Sequence, residues 1–158
     1  MNNQGSDATP APLDALVGRW EMEAIVGGQQ VMRALSTFAW LDGGRDFLFS
    51  RTEALPPEVD VPREWVENAP FPVVSVIGAD DYSGGYTMLY ADGRGVRRTY
   101  EMRLDDGVWT LSARPDRDFF QRLKACISKD EDAIAGCWER SIDGEKWETD
   151  FDVAYTRL

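Results

Sequence analysis

The chain has 158 residues, 43% of them hydrophobic, which suits one domain with its own core. Its 28 acidic residues outnumber 17 basic ones, and the net charge of -11 repels nucleic acid and anionic membrane surfaces, so neither is an expected partner. The sequence has no histidine and only two cysteines. This composition excludes histidine-based catalysis, histidine-ligated zinc or haem and a framework of several disulfides, and we expect no metal and no cofactor.

Residues 1–12 are polar and contain glycine, serine and proline, a composition typical of a disordered tail. They lack the charged-then-apolar order of a signal peptide, and no later run approaches the roughly 20 apolar residues that cross a bilayer. The sequence therefore predicts a cytoplasmic protein in which a tail precedes a single domain over residues 13–158.

About ten short strand-like segments follow, separated by Gly-Gly and Asp-Gly turn signals. They cover residues 16–26, 29–41, 45–54, 73–79, 85–91, 95–105, 108–114, 118–128, 133–142 and 146–157. The connection over 56–72 is longer and rich in proline, with a short helix over 64–67 that Pro62 can open. This spacing predicts an all-β, up-and-down antiparallel barrel whose proline-rich connection forms a lid over one mouth.

The two ends of the folded part are predicted to meet. Gly18 and Trp20 begin the first strand, and Arg157 ends the last one. If these strands pair, the barrel closes and the guanidinium group of Arg157 lies over the indole of Trp20, sealing one end.

Tight hairpin loops fix the register of their strands, and the alternation of side chains then assigns each residue to a face. Loops at 27–28, 42–44, 106–107, 131–132 and 143–144 predict a barrel interior that mixes arginines with aromatic and aliphatic side chains. The residues predicted to face this interior and to contact a ligand are Trp20, Met22, Arg33, Phe49, Arg51, Glu53, Arg98, Tyr100, Gln121, Trp138, Arg140 and Trp147.

The same register predicts an apolar stripe on the outer surface, which would favour a homodimer. The alternative is a bulge that exchanges the two faces. The stripe consists of Phe38, Trp40, Tyr86, Met88 and Tyr90.

Cys126 and Cys137 are predicted to lie opposite each other on the outer face of one hairpin. A redox switch would be geometrically possible there, and reduced thiols are the expected state in a cytoplasmic protein.

Charged side chains inside a barrel must be paired, hydrated or bound to a ligand, because an unpaired buried charge is unstable. One interpretation is internal pairing, with Arg33 next to Glu53 and Arg140 stacked on Trp147. The other is that the excess of arginine makes the interior positive and suited to a carboxylate or another anionic group.

Several motifs extend over most of the chain: G-x-W at 18–20, IGADD at 77–81, MLYADGRGVRRTYEM at 88–102, DF-x-QR at 118–122 and G-x-WE-x-S-x-DG-x-x-W at 136–147. Together they resemble a bacterial family of uncharacterised, lipocalin-like proteins of the calycin type. The resemblance implies a barrel like those of lipocalins and fatty-acid-binding proteins, which hold small hydrophobic molecules inside. In fatty-acid-binding members an arginine and an Arg-x-Tyr pair hold a carboxylate, and Arg98 and Tyr100 have that form here on a middle strand.

Three functions fit these expectations. The first is binding of a small hydrophobic or amphiphilic anionic ligand inside the barrel. The second is an enzyme on the same cavity, with Tyr100 or Glu53 as the acid or base. The third is an interaction protein that has a filled barrel and associates through its outer surface.

Overall fold

The computed structural model describes residues 12–158, which form a closed barrel of ten antiparallel strands. Each strand pairs with its neighbours in sequence, and β1 pairs with β10 to close the ring. The strands are β1 (Gly18–Val26), β2 (Gln29–Trp40), β3 (Phe47–Ala54), β4 (Val73–Asp80), β5 (Gly85–Asp92), β6 (Arg97–Asp105), β7 (Val108–Ala113), β8 (Phe120–Ile127), β9 (Ala133–Ser141) and β10 (Glu148–Arg157). The predicted all-β, up-and-down barrel is confirmed, and its strand bounds agree with the prediction to within two residues.

The described part begins with a short 3-10 helix, Pro12–Ala15. The predicted tail therefore lies outside the described residues except for Pro12. Among the residues described, no helix has the length and apolar character needed to cross a membrane.

One end of the barrel is sealed as the sequence predicts. The guanidinium carbon of Arg157 lies 4.1 Å from the ring centroid of the fully buried Trp20. Arg157 also donates hydrogen bonds to the carbonyl oxygens of Val17 (2.6 Å) and Ala15 (2.9 Å), while the indole N–H of Trp20 donates to that of Leu16 (2.8 Å). The bonds from Arg157 attach the residues just before β1 to the last strand. We call this end of the barrel the closed end.

Gly18 lies directly under that guanidinium group. Its φ is +130°, and a Cβ atom at this position would lie 2.6 Å from Nη1 of Arg157. The glycine of the G-x-W motif is therefore required both by its backbone conformation and by the close approach of Arg157.

The β6–β7 hairpin has the predicted register. Its two-residue loop pairs Leu104 with Trp109 and Met102 with Leu111, and Tyr100 lies opposite Ala113. No bulge interrupts the ladder, so the alternation of side chains assigns both strands to the correct faces.

A bulge in β2 reverses the predicted faces of two strands. The first hairpin starts in the predicted register, with Ile25 opposite Gln30, but the register then shifts so that Ala24 pairs with Met32 and Val31 is the extra residue. Every later residue of β2 moves to the other face, and β3 follows because it pairs with β2 without a compensating shift. The prediction that they face the interior is wrong for Arg33, Phe49, Arg51 and Glu53, which lie on the outer face.

The predicted outer apolar stripe is also wrong. Phe38 and Met88 are buried in the core, and Trp40, Tyr86 and Tyr90 pack against it. The observation that favoured a homodimer is therefore lost, and self-association stays a prediction.

The β9–β10 connection is longer than the predicted two-residue turn. Ser141 and Asp143 accept backbone hydrogen bonds within it, and Arg140 pairs with Glu148 across its base. The extra residues place Trp147 outside, where the guanidinium carbon of Arg122 lies 3.9 Å from its ring centroid. The predicted inward orientation of Trp147 and its stacking with Arg140 are both wrong.

The two cysteines are free and do not face each other. Cys126 pairs with Ala135, and Cys137 pairs with Lys124, because the β8–β9 register differs from the predicted one by two residues. Both thiols stay on the predicted outer face, since a shift of two residues preserves the face.

The long connection between β3 and β4 crosses the end opposite the closed end, which we call the mouth. It contains α1 (Arg63–Glu67), which follows Pro62 as predicted. Trp65 of this helix makes an edge-to-face contact with Phe151 of β10, with centroids 6.1 Å apart. The backbone N–H of Gly93, in the β5–β6 turn, donates to the carbonyl oxygen of Pro70 (2.8 Å) and fixes the other end of the connection.

Candidate functional site

The barrel encloses a cavity of about 450 Å³ between the closed end and the lid, which we call the lumen. This volume is within the usual range for small-molecule sites. Most of its wall is apolar and comes from strands on all sides; the clearest examples are Met22, Met88, Leu111, Trp138 and Phe151.

A polar group on β6 and β8 interrupts this apolar wall. The hydroxyl of Tyr100 donates to Oε1 of Gln121 (2.7 Å), and Nη1 of Arg98 donates to the same oxygen (3.2 Å). The guanidinium carbon of Arg98 also lies 4.7 Å from the ring centroid of Phe119. Arg98 is half-buried and makes no ion pair with any residue between 12 and 158, so its charge is available to an anion.

Burial raises the pKa of the Tyr100 hydroxyl, and the nearby charge of Arg98 only partly opposes this effect. Tyr100 therefore stays protonated at neutral pH and acts as a hydrogen-bond donor. Glu53, the other candidate for acid–base chemistry, lies on the outer face in an ion pair with Arg51 (3.0 Å) and does not share the lumen with Tyr100.

A second arginine of the lumen, Arg94, is paired with a carboxylate. Its guanidinium group donates twice to the buried carboxylate of Asp92, at 2.6 and 3.1 Å. Burial alone would raise the pKa of Asp92, but hydrogen bonds from Arg94, Tyr90 and the backbone N–H of Val96 outweigh it and lower the pKa. This group therefore closes the β5–β6 turn as a neutralised pair.

The third arginine, Arg140, lies between two carboxylates. Its guanidinium nitrogens are 3.0 Å from Glu148 and 3.7 Å from Asp150. Asp150 lines the lumen because the register of β10 shifts between Thr149 and Phe151. Burial raises the pKa of Asp150, and the charge of Arg140 opposes that effect.

Six of the predicted ligand-contacting residues line the lumen, and these are Met22, Arg98, Tyr100, Gln121, Trp138 and Arg140. Trp20 is buried at the closed end and does not line it. The predicted internal pair of Arg33 and Glu53 is wrong, because Arg33 donates to Glu21 (2.6 Å) on the outer face.

Several lumen residues are not among those that the sequence predicts to contact a ligand, although the β6–β7 register already places one of them, Trp109, on the inner face. They are Asp150, the buried Trp109, Tyr155 and the lid residues Trp65, Asn68 and Phe71. Asp150 is placed by a bulge, and the lid residues are placed by a loop whose path no periodicity encodes.

Among residues 12–158, no group of three or more cysteine, aspartate or glutamate side chains is arranged to hold a metal ion.

A solved structure similar to this barrel is the crystal structure of Rv2717c from M. tuberculosis, with a TM-score of 0.51 and 15% sequence identity. The alignment covers 96% of this chain and 99% of that chain. At this identity the likeness shows the fold alone. No protein-family profile matches the sequence, and no curated protein matches it significantly.

Proposed function

We propose that this protein binds a small amphiphilic anion inside the barrel, with the apolar body in the lumen and the anionic group on Arg98. The observation that carries the proposal is a half-buried guanidinium group that lines the lumen and has no carboxylate partner in the described part of the chain. Such a charge is stabilised when an anion accepts its hydrogen bonds.

The neighbours of Arg98 support this assignment. Gln121 holds one guanidinium nitrogen, while Phe119 packs against the guanidinium plane, so the side chain is already oriented. The remaining guanidinium N–H groups are geometrically suited to a planar carboxylate. Because Arg94 and Arg140 already have carboxylate partners, Arg98 is the stronger candidate for the anion.

The proposal extends to the protein class. A lipocalin-like or fatty-acid-binding barrel accounts for the closed ring and the enclosed lumen, together with the indole covered by an arginine at one end. The cytoplasmic location and the lack of nucleic-acid or membrane partners stay predictions from composition and charge.

Titration of the purified protein with dodecanoate by calorimetry tests the proposed function. We expect saturable binding that is at least about tenfold weaker in Arg98→Gln, since a hydrogen bond to a charged group contributes about 1.5–3 kcal/mol. Arg103→Gln is the matched control, because Arg103 lies on the outer face of the same strand. Absence of binding at high micromolar dodecanoate, or equal affinity of wild type and Arg98→Gln, would reject the proposal.

The position of Asp150 predicts a pH dependence. Its carboxylate faces the lumen near Arg140, and protonation removes a negative charge that repels an anionic ligand. Its pKa is raised, so this protonation occurs at a higher pH than for an ordinary carboxyl group. Affinity for an anion should therefore increase, by about threefold, as the pH falls through this pKa.

Dodecyl sulfonate suits this measurement because its sulfonate group stays ionised over the whole pH range of the titration. Asp150→Asn should bind it at about pH 8 as tightly as wild type does at a pH below the raised pKa of Asp150, and should lose the dependence on pH. If Asp150→Asn kept the same pH profile as wild type, the effect would come from another group.

A further inference from the structure

Some hydrogen-bond donors that line the lumen have no acceptor in the described part of the chain, and they extend far from Arg98. The clearest case is Trp109 on β7, whose side chain is 3% exposed and whose buried indole N–H has no acceptor in the described part of the chain. The same indole lines the lumen. A buried donor without a partner costs about 1–3 kcal/mol, so a native site that keeps one calls for an explanation.

The opposite wall, formed by β2, β3 and β4, carries two pairs of hydroxyl groups. Ser36 and Thr52 lie 2.7 Å apart, and the hydroxyls of Ser50 and Ser75 are also hydrogen-bonded to each other. In each pair one hydroxyl donates to the other, and the second hydrogen has no acceptor between residues 12 and 158. Thr52, Ser50 and Ser75 line the lumen, so the unused hydrogens can turn towards a ligand.

Tyr155 adds a further donor near Trp109, with ring centroids 6.1 Å apart. Its hydroxyl has no hydrogen-bond partner in the described chain, and burial raises its pKa to about 12, so it stays protonated. Two acceptors of the lumen are already used, since Oε1 of Gln121 receives two hydrogen bonds and the carboxylate of Asp92 receives those of Arg94 and Tyr90. The carboxylate of Asp150 lies 3.7 Å from the guanidinium group of Arg140.

We propose that the ligand is an oxygenated anion, whose apolar body carries carbonyl or ether oxygens that accept hydrogen bonds from the hydroxyl pairs and from the Trp109 end of the lumen. This inference rests on the proposed function and adds the chemical class of the ligand. A simple fatty acid has its acceptors at one end only and would leave these donors unpaired. An oxo acid of similar length supplies acceptors at both the anionic group and the chain.

The strand register sets the distance between Arg98, which holds the anionic group, and Trp109 at the other end of the lumen. Trp109 pairs with Leu104, which lies six residues along β6 from Arg98, so the two levels are about 20 Å apart along the strand. With a strand tilt of about 40° this becomes roughly 15 Å along the barrel axis. An acceptor for Trp109 therefore belongs near the end of the chain remote from the anionic group.

A series of monoketone derivatives of dodecanoate, with the carbonyl moved stepwise along the chain, tests this inference by calorimetry on the full-length protein. We expect some ketones with the carbonyl in the middle of the chain, and some with it near the distal end, to bind about three- to tenfold more tightly than dodecanoate. This is the effect of one added hydrogen bond. Trp109→Phe should remove the gain for the distal ketone only. The double variant Ser50→Ala/Ser75→Ala should remove the gain for the middle ketone only.

Dodecanoate serves as the internal reference, because the gain of each ketone is its affinity relative to that of dodecanoate in the same variant. Ser112→Ala, on the outer face of β7, should leave the whole series unchanged. If every ketone binds no better than dodecanoate, ordered water satisfies these donors and the inference is overturned. Gains that persist in both variants overturn it as well, whereas failure of dodecanoate and all ketones to bind rejects the proposed function itself.

Discussion

Replacement of Arg157 by glutamine is expected to lower the free energy of unfolding by about 3 kcal/mol, because one side chain satisfies several backbone groups at the closed end. Arg157 donates to the carbonyl oxygens of Val17, Ala15 and Glu131, at 2.6, 2.9 and 2.8 Å. It also lies over the indole of Trp20, an interaction that contributes about 0.5–2 kcal/mol. Glutamine is shorter and uncharged, and it cannot reach all of these acceptors.

Urea unfolding monitored by circular dichroism measures this loss. Arg19→Gln is the control, since Arg19 lies on β1 near the same end and is exposed, and we expect a change within about 0.5 kcal/mol for it. A double-mutant cycle with Trp20→Phe would isolate the cation–π contribution. A loss below about 1 kcal/mol for Arg157→Gln would mean that water replaces the guanidinium group at the closed end.

Gly136→Ala is expected to cost about 2–3 kcal/mol for a purely steric reason. Gly136 lies on β9 opposite Ala125 of β8 and Val153 of β10. A Cβ atom at this position would meet the carbonyl oxygen of Lys124 and lie 2.6 Å from the Cα of Ala125. Because those atoms belong to the backbone, the strands must move apart to accept even one methyl group.

Gly44→Ala is the matched control, since its φ is -83° and the nearest atom to an added Cβ is 3.5 Å away. It should change the free energy of unfolding by less than about 0.5 kcal/mol. Thermal unfolding of both variants gives the comparison. If Gly136→Ala were as stable as wild type, β8 and β9 would have to move apart without lowering the free energy of unfolding, which would contradict this prediction.

The local pattern of the sequence determined the strands and the way the barrel closes. Turn signals at 27–28 and 106–107 separate segments that alternate between apolar and polar residues, and this local information sets strand length. The pairing of the first and last strands could be inferred from Trp20 and Arg157, because an indole and a guanidinium group at opposite ends of a barrel sequence have a direct physical reason to meet.

Tertiary structure alone decided which side chains face the lumen on β2 and β3. A single extra residue at Val31 reverses every later face, and no turn signal marks it. Val31 and Met32 pack in a cluster with Trp65 of the lid, a contact between residues remote in sequence. The predictions for Arg33 and Glu53 failed for this reason, whereas those for Arg98 and Tyr100 succeeded because β6 and β7 are joined by an uninterrupted two-residue hairpin. The sequence thus determined that arginines would line the lumen, and the tertiary structure decided that Arg98 is the one without a carboxylate partner in the described chain.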